Sequence, residues 1–432
     1  MHIGKRIKFL RNQKGLSQTS IFKNIISASH YSNIESARYE ASSDILCQIA
    51  SRLEVPDDYL TLYSLPSPSL ARKIQEYEKA VKQSLTDGDI VLEKYREDLS
   101  YIPSLTQEFD FLLIHSGHLL RKGDLSAAEE KYKQISYYLE ASSIESHPKP
   151  IRFKFYYVSG MRHFLKRNYP ECYENYSLAL NNVTEEEDEA RVRQNTALLL
   201  FQTYDYHRSL IHVKKARNLF MNLHKWLDTV KADTLMGILY TENKEYDSAK
   251  KVLSKGLELA RDRNYTEEQA NILHNLGMLK QEQGKYEESI ACFKESLEIK
   301  ERHFSSNDSY HVNSLFKSYY CILAGYFSSK RLDELDKLLK DADSYCHTEL
   351  HRYRIQVMEA KLAFELKDFE TYENKMKQSI DYFFKNRLWE YIEEIAEQFS
   401  SYLSDKRHYK KAGEYLKIEL EAVKKLYKER SR

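Results

Sequence analysis

KEYDSAKKVLSKGLELA (residues 244–260) and GKYEESIACFKESLEI (residues 284–299) are two copies of one pattern, and YDYHRSLIHVKKA (residues 204–216) is a third. Their aromatic anchors, Tyr206, Tyr246 and Tyr286, stand 40 residues apart. Gly237 in LMGIL and Gly277 in NLGML are also 40 apart, each nine residues before an anchor. Apolar positions are read at +3, +7 and +11 from the anchor, which is one face of a helix. The unit is two antiparallel helices joined by a tight turn just before the aromatic. In this reading the small residue lets the helices approach, and the aromatic fills the wedge between them. Weaker copies centre on Leu125, Tyr169, Leu332, Phe369 and Tyr409, with a divergent helix pair over residues 70–101. Eight copies exceed the three that a stable stack needs. The 34 tyrosines are read mainly as packing residues of these units.

Composition agrees with helices. Pro170 is the last of seven prolines, and only 12 glycines occur in 432 residues. A long proline-free stretch suits helices with short turns. No apolar run approaches the ~20 residues of a membrane span. The N-terminus is basic but lacks the apolar segment of a signal peptide. The five cysteines lie far apart without a CxxC, as expected of reduced thiols in a cytoplasm. No phosphate-binding or nucleophile motif occurs. His347 and His351 are spaced to share a metal, but Glu349 is misplaced for HExxH. The chain is therefore read as a non-enzyme with no cofactor and no metal. The C-terminal EAVKKLYKERSR (residues 421–432) reads as a helix that caps the last repeat.

The repeat frame resembles the tetratricopeptide repeat, lengthened from its usual 34 residues to about 40 by longer helices. That resemblance implies an all-α, right-handed superhelix whose concave face is lined by the first helix of each pair. Counting back from the anchors, Asn195 and Asn275 share a frame position two repeats apart. Arg191, Gln202, Lys231, Tyr240 and Asn271 lie near them. An Asn amide offers a donor and an acceptor to an extended peptide backbone. Lys or Arg suits a peptide carboxylate. An exposed Asn is equally at home as plain solvated surface.

The first 63 residues read differently. Residues 1–30 hold six Lys/Arg and no acid, leaving 60 basic and 65 acidic side chains elsewhere out of 66 and 65 in all. A basic head on a weakly acidic body is the footprint of nucleic-acid binding. Residues 4–14 form a helix with Ile7 and Leu10 inward and Lys5, Arg6, Lys8 and Arg11 outward. Gly15 stops it. Ser17 caps a second helix, SQTSIFKNI, with Ile21 and Ile25 on one face. After a turn at Ile26, Ser27 caps ASHYSNIES, with Tyr31 and Ile34 inward. Ala28, Ser29, His30, Ser32 and Asn33 are left outward. DILCQIASRL follows with Ile45, Ile49 and Leu53 in the core, and residues 57–62 make a short fifth helix. Ser29, His30 and Asn33 are candidates for base edges, Asn suiting adenine. Lys5, Arg6, Lys8, Lys23 and Arg38 are candidates for phosphates. SLPSPS (residues 64–69) marks a linker between a DNA-binding domain, 1–63, and a repeat domain, 70–432.

GKRIKFLRNQKGLSQ (residues 4–18), YSNIES (31–36) and ASSDILCQIASRLEVP (41–56) resemble the Xre/phage-repressor-type helix–turn–helix domain. The resemblance implies that Gln18 opens the second helix and touches DNA. It places the third helix, with Ser27, Ala28, Ser29, His30, Ser32 and Asn33, in the major groove. It makes Arg11 and Glu35 a structural ion pair. Most members have Gly in the turn where this chain has Ile26. Head and repeats together are similar to the peptide-pheromone receptors of Gram-positive bacteria, the Rap/NprR/PlcR/PrgX family. The spacing NIISASHYSNIES (24–36) followed by SSDILCQIASRLEVP (42–56) looks nearest to PlcR-like regulators. The resemblance implies a cytoplasmic homodimer on an inverted-repeat operator in double-stranded DNA, controlled by a short signalling peptide, and more often activating than repressing. Two other readings stand beside it. One is a Rap- or NprR-like protein whose repeats bind or dephosphorylate a phosphorelay protein, with Gln134 as the sort of residue such chemistry uses. The other is a scaffold with a vestigial head.

Overall fold

The computed structural model describes residues 1–305 and 308–430, the last three by backbone alone. All regular structure among these residues is helical. Each of the eight anchors is the first residue of a helix: Leu125–Leu139, Tyr169–Asn182, Tyr206–Asn222, Tyr246–Asp262, Tyr286–His303, Leu332–Lys340, Phe369–Lys385 and Tyr409–Arg430. The two tryptophans open first helices of pairs, Trp226–Glu242 and Trp389–Asp405. No described helix is long and apolar enough to cross a membrane.

The turns explain the regularity. Tyr204, His224, Lys244, Asn264 and Gly284 all have positive φ, between 56° and 70°, and follow one another at 20-residue steps. Each lies two residues before a helix. In each turn the next residue's N–H reaches back five residues, as from Glu245 to the Tyr240 carbonyl at 2.8 Å. This is the Schellman closure, which satisfies the last carbonyls of the helix before it. The 40-residue repeat is thus two near-equal halves with the same turn.

Pair packing departs from the sequence reading in one respect. A Cβ built on Gly237 would lie 2.3 Å from Leu253, and one on Gly277 would lie 2.6 Å from the Phe293 ring. Gly160 meets Tyr176 in the same way, at 2.4 Å. The partner is always the residue at +7 from the anchor. Seven of the eight anchors are only half-buried and Tyr409 is exposed, so they do not fill the wedge. The +3 position is small rather than apolar: Ser209, Ala249 and Ser289. There the helix meets its partner's backbone. Ser209 Oγ donates to the Ala197 carbonyl at 2.7 Å, and Ser289 Oγ to that of Gly277 at 2.9 Å.

The chain divides into two compact units, residues 1–192 and 193–432. The first opens with α1 (Ile3–Gln13), α2 (Gln18–Phe22), α3 (Ala28–Glu35), α4 (Ser43–Leu53) and α5 (Asp57–Thr61). α2 is shorter than expected. Asn24 takes φ 65°, so Ile25 and Ile26 fall in the turn, half-buried. Ile7, Ile21, Tyr31, Ile34, Ile49 and Leu53 are fully buried. Their cluster continues without a break into Leu105, Phe109, Leu112, Ile135 and Tyr138. Head and first repeat helices therefore share one core. The 64–69 segment is tied down as well. Gln107 Nε2 donates to the Ser67 carbonyl at 2.7 Å, and the Ser67 N–H donates back to Gln107 Oε1 at 2.9 Å. Helix Pro68–Gln83 starts inside that segment.

Gly277→Val should lower unfolding stability by about 1–3 kcal/mol, because the Phe293 ring has nowhere to retreat. Gly413→Ala should raise it by about 0.5–1 kcal/mol, since a Cβ there meets nothing within 4 Å. Urea unfolding of both variants checks the contrast.

Candidate functional site

The head is organised around one carboxylate. Glu35 is 3% exposed. It accepts from Arg11 Nε at 2.6 Å and Nη2 at 3.1 Å, from the Tyr31 hydroxyl at 2.8 Å and from Gln18 Nε2 at 2.7 Å. One residue thereby ties α1, α2 and α3 together. Its hydrogen bond also holds the Arg11 guanidinium charged more firmly than usual. Gln18 remains exposed, with its amide N–H already committed. Ser17 Oγ caps α2 at the Ser20 N–H, and Ser27 Oγ caps α3 at the His30 N–H, at 3.1 and 3.2 Å. The Ser27 hydroxyl is thus occupied with shaping the helix. Ala28, Ser29 and Ser32 are exposed, while His30 and Asn33 are half-buried. His30 sits edge-on to Tyr39 at 6.1 Å. Lys23 and Arg38 flank this face, both exposed.

The basic side chains of α1 lie elsewhere, which corrects the phosphate assignment for three of them. Arg6 is fully buried. Its Nη2 donates to Glu108 Oε2 at 2.7 Å and to the Ile102 carbonyl at 3.1 Å, and its Nη1 donates to the Pro103 carbonyl at 2.6 Å. Its guanidinium lies 4.1 Å from the Tyr59 ring centre. Burial works against this charge, but Glu108 with the Tyr138 and Tyr59 hydroxyls more than offsets it. The Tyr59 and Tyr138 hydroxyls both donate to Glu108. Lys5 is also buried, and with Lys8 it meets Glu140, at 2.8 and 3.3 Å. A basic patch here would need free charge. These three charges instead dock α1 onto residues 102–140. Gln134 belongs to the same network. It is 8% exposed, and its Nε2 donates to Glu108 Oε1 at 3.1 Å and to the Tyr138 hydroxyl at 2.9 Å. A side chain so engaged does not reach a partner protein.

The second unit carries a groove of about 550 Å³. As the repeat frame implied, first helices line most of it. Gln194, Thr234, His274 and Ser314 form one column, each 40 residues from the next. Lys231 and Asn271 form a second column, Leu235 and Asn275 a third. Of the sequence candidates, Lys231, Asn271 and Asn275 are here. Asn275 Nδ2 donates to the Asn271 carbonyl at 2.9 Å, which leaves its Oδ1 toward the groove's contents. Lys231 is 3.7 Å from Glu268, whose carboxyl is raised by burial against the pull of that lysine. Asn195, Gln202 and Tyr240 are not among the lining residues. Tyr240 packs against the core, 5.3 Å below the Lys214 ammonium. Arg191 belongs to the first unit, bound to the Lys82 carbonyl and to Glu187. Asn195 shares its frame position with Leu235 and Asn275, which do line the groove, and the neighbouring 194 frame supplies a polar column of Gln, Thr, His and Ser.

His351 stacks on Phe316 at 3.9 Å and its Nε2 meets Asn313 Oδ1 at 2.9 Å. Among the described residues no group of three His, Cys, Asp or Glu is placed to hold a metal.

Residues 7–60 match the helix–turn–helix family model, and residues 228–302 match the tetratricopeptide repeat model. The chain is thus a helix–turn–helix head joined to tetratricopeptide pairs. It is 21% identical over 415 residues to the transcriptional activator NprA of Geobacillus stearothermophilus, covering 93% of this chain and 98% of that protein. Its fold is that of the apo quorum sensor NprR from B. thuringiensis, with a TM-score of 0.65, 14% identity, and 82% and 99% of the two chains covered. NprR in complex with its cognate peptide NprX matches with a TM-score of 0.56, 15% identity, and coverage of 83% and 99%.

Glu108→Gln should strand the Arg6 charge and cost about 3–5 kcal/mol. Hydrogen exchange should then quicken in α1, α5 and residues 105–139 together. Adding Arg6→Met should recover part of the loss, since the buried charge is gone and the amide oxygen still accepts from one of the two tyrosine hydroxyls, which meet opposite oxygens of Glu108.

Proposed function

We propose that this chain is a peptide-responsive transcription regulator of the Rap/NprR/PlcR/PrgX type, acting as a cytoplasmic homodimer. The observation that carries the reading is one chain holding both a helix–turn–helix with an exposed, uncharged polar third helix and a tetratricopeptide groove edged by amide side chains. The matching relative named as a transcriptional activator supports activation. The NprR–NprX complex supports a short peptide as the ligand.

In this reading α3 enters the major groove of an inverted-repeat operator. Ser29, His30 and Asn33 face base edges, with Ala28 and Ser32 beside them. Gln18 and the capped N-termini sit at the backbone, and Lys23 and Arg38 take phosphates. The peptide lies along the Lys231–Asn271 and Asn275 columns, its backbone bonded to the amides. It acts only through its different affinity for two arrangements of the chain. The buried position of Gln134 weighs against the phosphatase alternative.

His30→Ala with Asn33→Ala should relax sequence preference, each lost base contact costing ~1–3 kcal/mol. Lys23→Ala should weaken all sequences alike and flatten the salt dependence. DNA selection with the intact chain measures both, and equal loss on selected and random DNA for the double variant would remove α3 as the reader. Asn275→Ala should weaken peptide binding by ~1–3 kcal/mol with an unchanged melting temperature. Calorimetry with short peptides encoded beside the gene measures that. An unchanged affinity places the ligand elsewhere.

A further inference from the structure

One end of the groove has a charge that no carboxylate among the described residues of the second unit balances. Lys300 is the lining residue that comes from a second helix, Tyr286–His303. Its side chain passes between first helices, and it is only 2% exposed. Its ammonium donates to Ser318 Oγ at 2.8 Å and to the Ser314 carbonyl at 3.2 Å. An ammonium has three donors, so one remains. Among the described residues no carboxylate lies within ion-pairing distance of Lys300 or of Lys317, the exposed lysine that also lines this end. Burial, with Lys317 adding repulsion, pushes the Lys300 ammonium down to about 8.

His274 completes the arrangement. It is 5% exposed. Its Nδ1 lies 3.1 Å from Ser318 Oγ, the same hydroxyl that accepts from Lys300. That hydroxyl has one proton to give, and His274 Nδ1 is a nearer acceptor than Ser296 Oγ at 3.4 Å. With Nδ1 accepting, Nε2 carries the ring proton. Nε2 is buried and has no hydrogen-bond partner. Burial, then Lys300 and Lys317, keeps this imidazole neutral by holding its pKa well below the ordinary value. This part of the groove therefore brings two ammonium groups together with a buried, unpartnered imidazole N–H, and among the described residues neither ammonium is paired with a carboxylate, the lining acids being Glu267 and Glu268. Leaving a buried ammonium without a counter-charge is costly, and a ligand that brings one recovers that cost. The opposite side differs, because there Lys231 already has Glu268.

We propose that Lys300, His274 and Lys317 form a carboxylate-binding end of the groove, which anchors one acidic group of the bound peptide. This rests on the peptide reading above. The shared chemistry is a carboxylate, from either the peptide's C-terminus or an Asp or Glu side chain, and both would meet the same three donors.

The probe is a synthetic heptapeptide library made twice, as free acids and as C-terminal amides. Peptides retained by the intact chain are identified by mass spectrometry. Retention of the free acids over the amides by roughly tenfold or more assigns the C-terminus. Equal retention of both libraries, with Asp or Glu enriched at one position, assigns a side chain. Lys300→Met should abolish whichever preference wild type shows. Its melting temperature should hold or rise, because a buried charge is replaced by an apolar chain of similar length. Lys317→Gln should reduce the preference without abolishing it. Asn275→Ala should weaken retention yet keep the preference. Peptides retained with no preference for acid, or a preference that survives Lys300→Met, would overturn the carboxylate end and leave the peptide reading intact. No retention from either library would overturn both.

Discussion

Close approach at glycine sets the geometry on which everything else rests. Leu253 occupies the space where a side chain at Gly237 would be, and Phe293 and Tyr176 do the same at Gly277 and Gly160. The relation is always sixteen residues, first helix to second. It fixes the rotation of each first helix about its own axis, so the opposite face is fixed too. That face is where the columns of the groove stand. A 40-residue step returns the chain to the same angle, which is why Gln194, Thr234, His274 and Ser314 align. The positive-φ turns keep the count, since each helix is stopped and restarted after the same number of residues.

The buried pair of Arg6 and Glu108 has a different role. It places a full charge inside a core shared by head and repeats, where two tyrosine hydroxyls and Gln134 complete the shell of the carboxylate. Such a pair adds little net stability against an apolar alternative, but it is unforgiving of misalignment. It therefore fixes how α1 sits. Glu140, outside the core, adds two weaker contacts through Lys5 and Lys8. Charge that would look like a nucleic-acid surface is spent on a protein surface. What remains outward near α3 is Lys23 and Arg38, with Ser29 and Ser32 between.

Much of the fold was legible. The eight anchors predicted eight helix starts because a tight turn followed by a large apolar or aromatic residue is a local signal. Ser17 and Ser27 predicted two caps for the same reason. The failures share a cause in distance along the chain. Arg6 reads as exposed on a helical wheel, and its partner is 102 residues away. Lys300 lies on the second helix of its pair, where the frame selects no groove residue. Nothing local says that a four-carbon stem will thread between neighbouring helices. The groove itself was legible in outline, because Asn271, Asn275 and Lys231 follow from the frame. Asn195, in the same frame as Asn275, lies outside the lining, because a frame gives the angle on each helix and not how far along the stack the groove extends. The turn after α2 comes earlier than Ile26, because Asn24 supplies the left-handed residue.

The reciprocal pair of hydrogen bonds between Gln107 and the backbone of Ser67 constrains movement. A head on a loose tether samples orientations, and its encounters follow from tether length. Here the would-be tether is stapled, and the core runs straight past it. In the proposed reading α3 is then less a hook on a line than a tooth cut into a wheel. Whatever turns residues 70–192 turns the tooth with them, through the same angle. In the proposed two-fold dimer on one duplex, one added base pair between half-sites would shift the helical phase by about a tenth of a turn. No slack in the staple is there to absorb it.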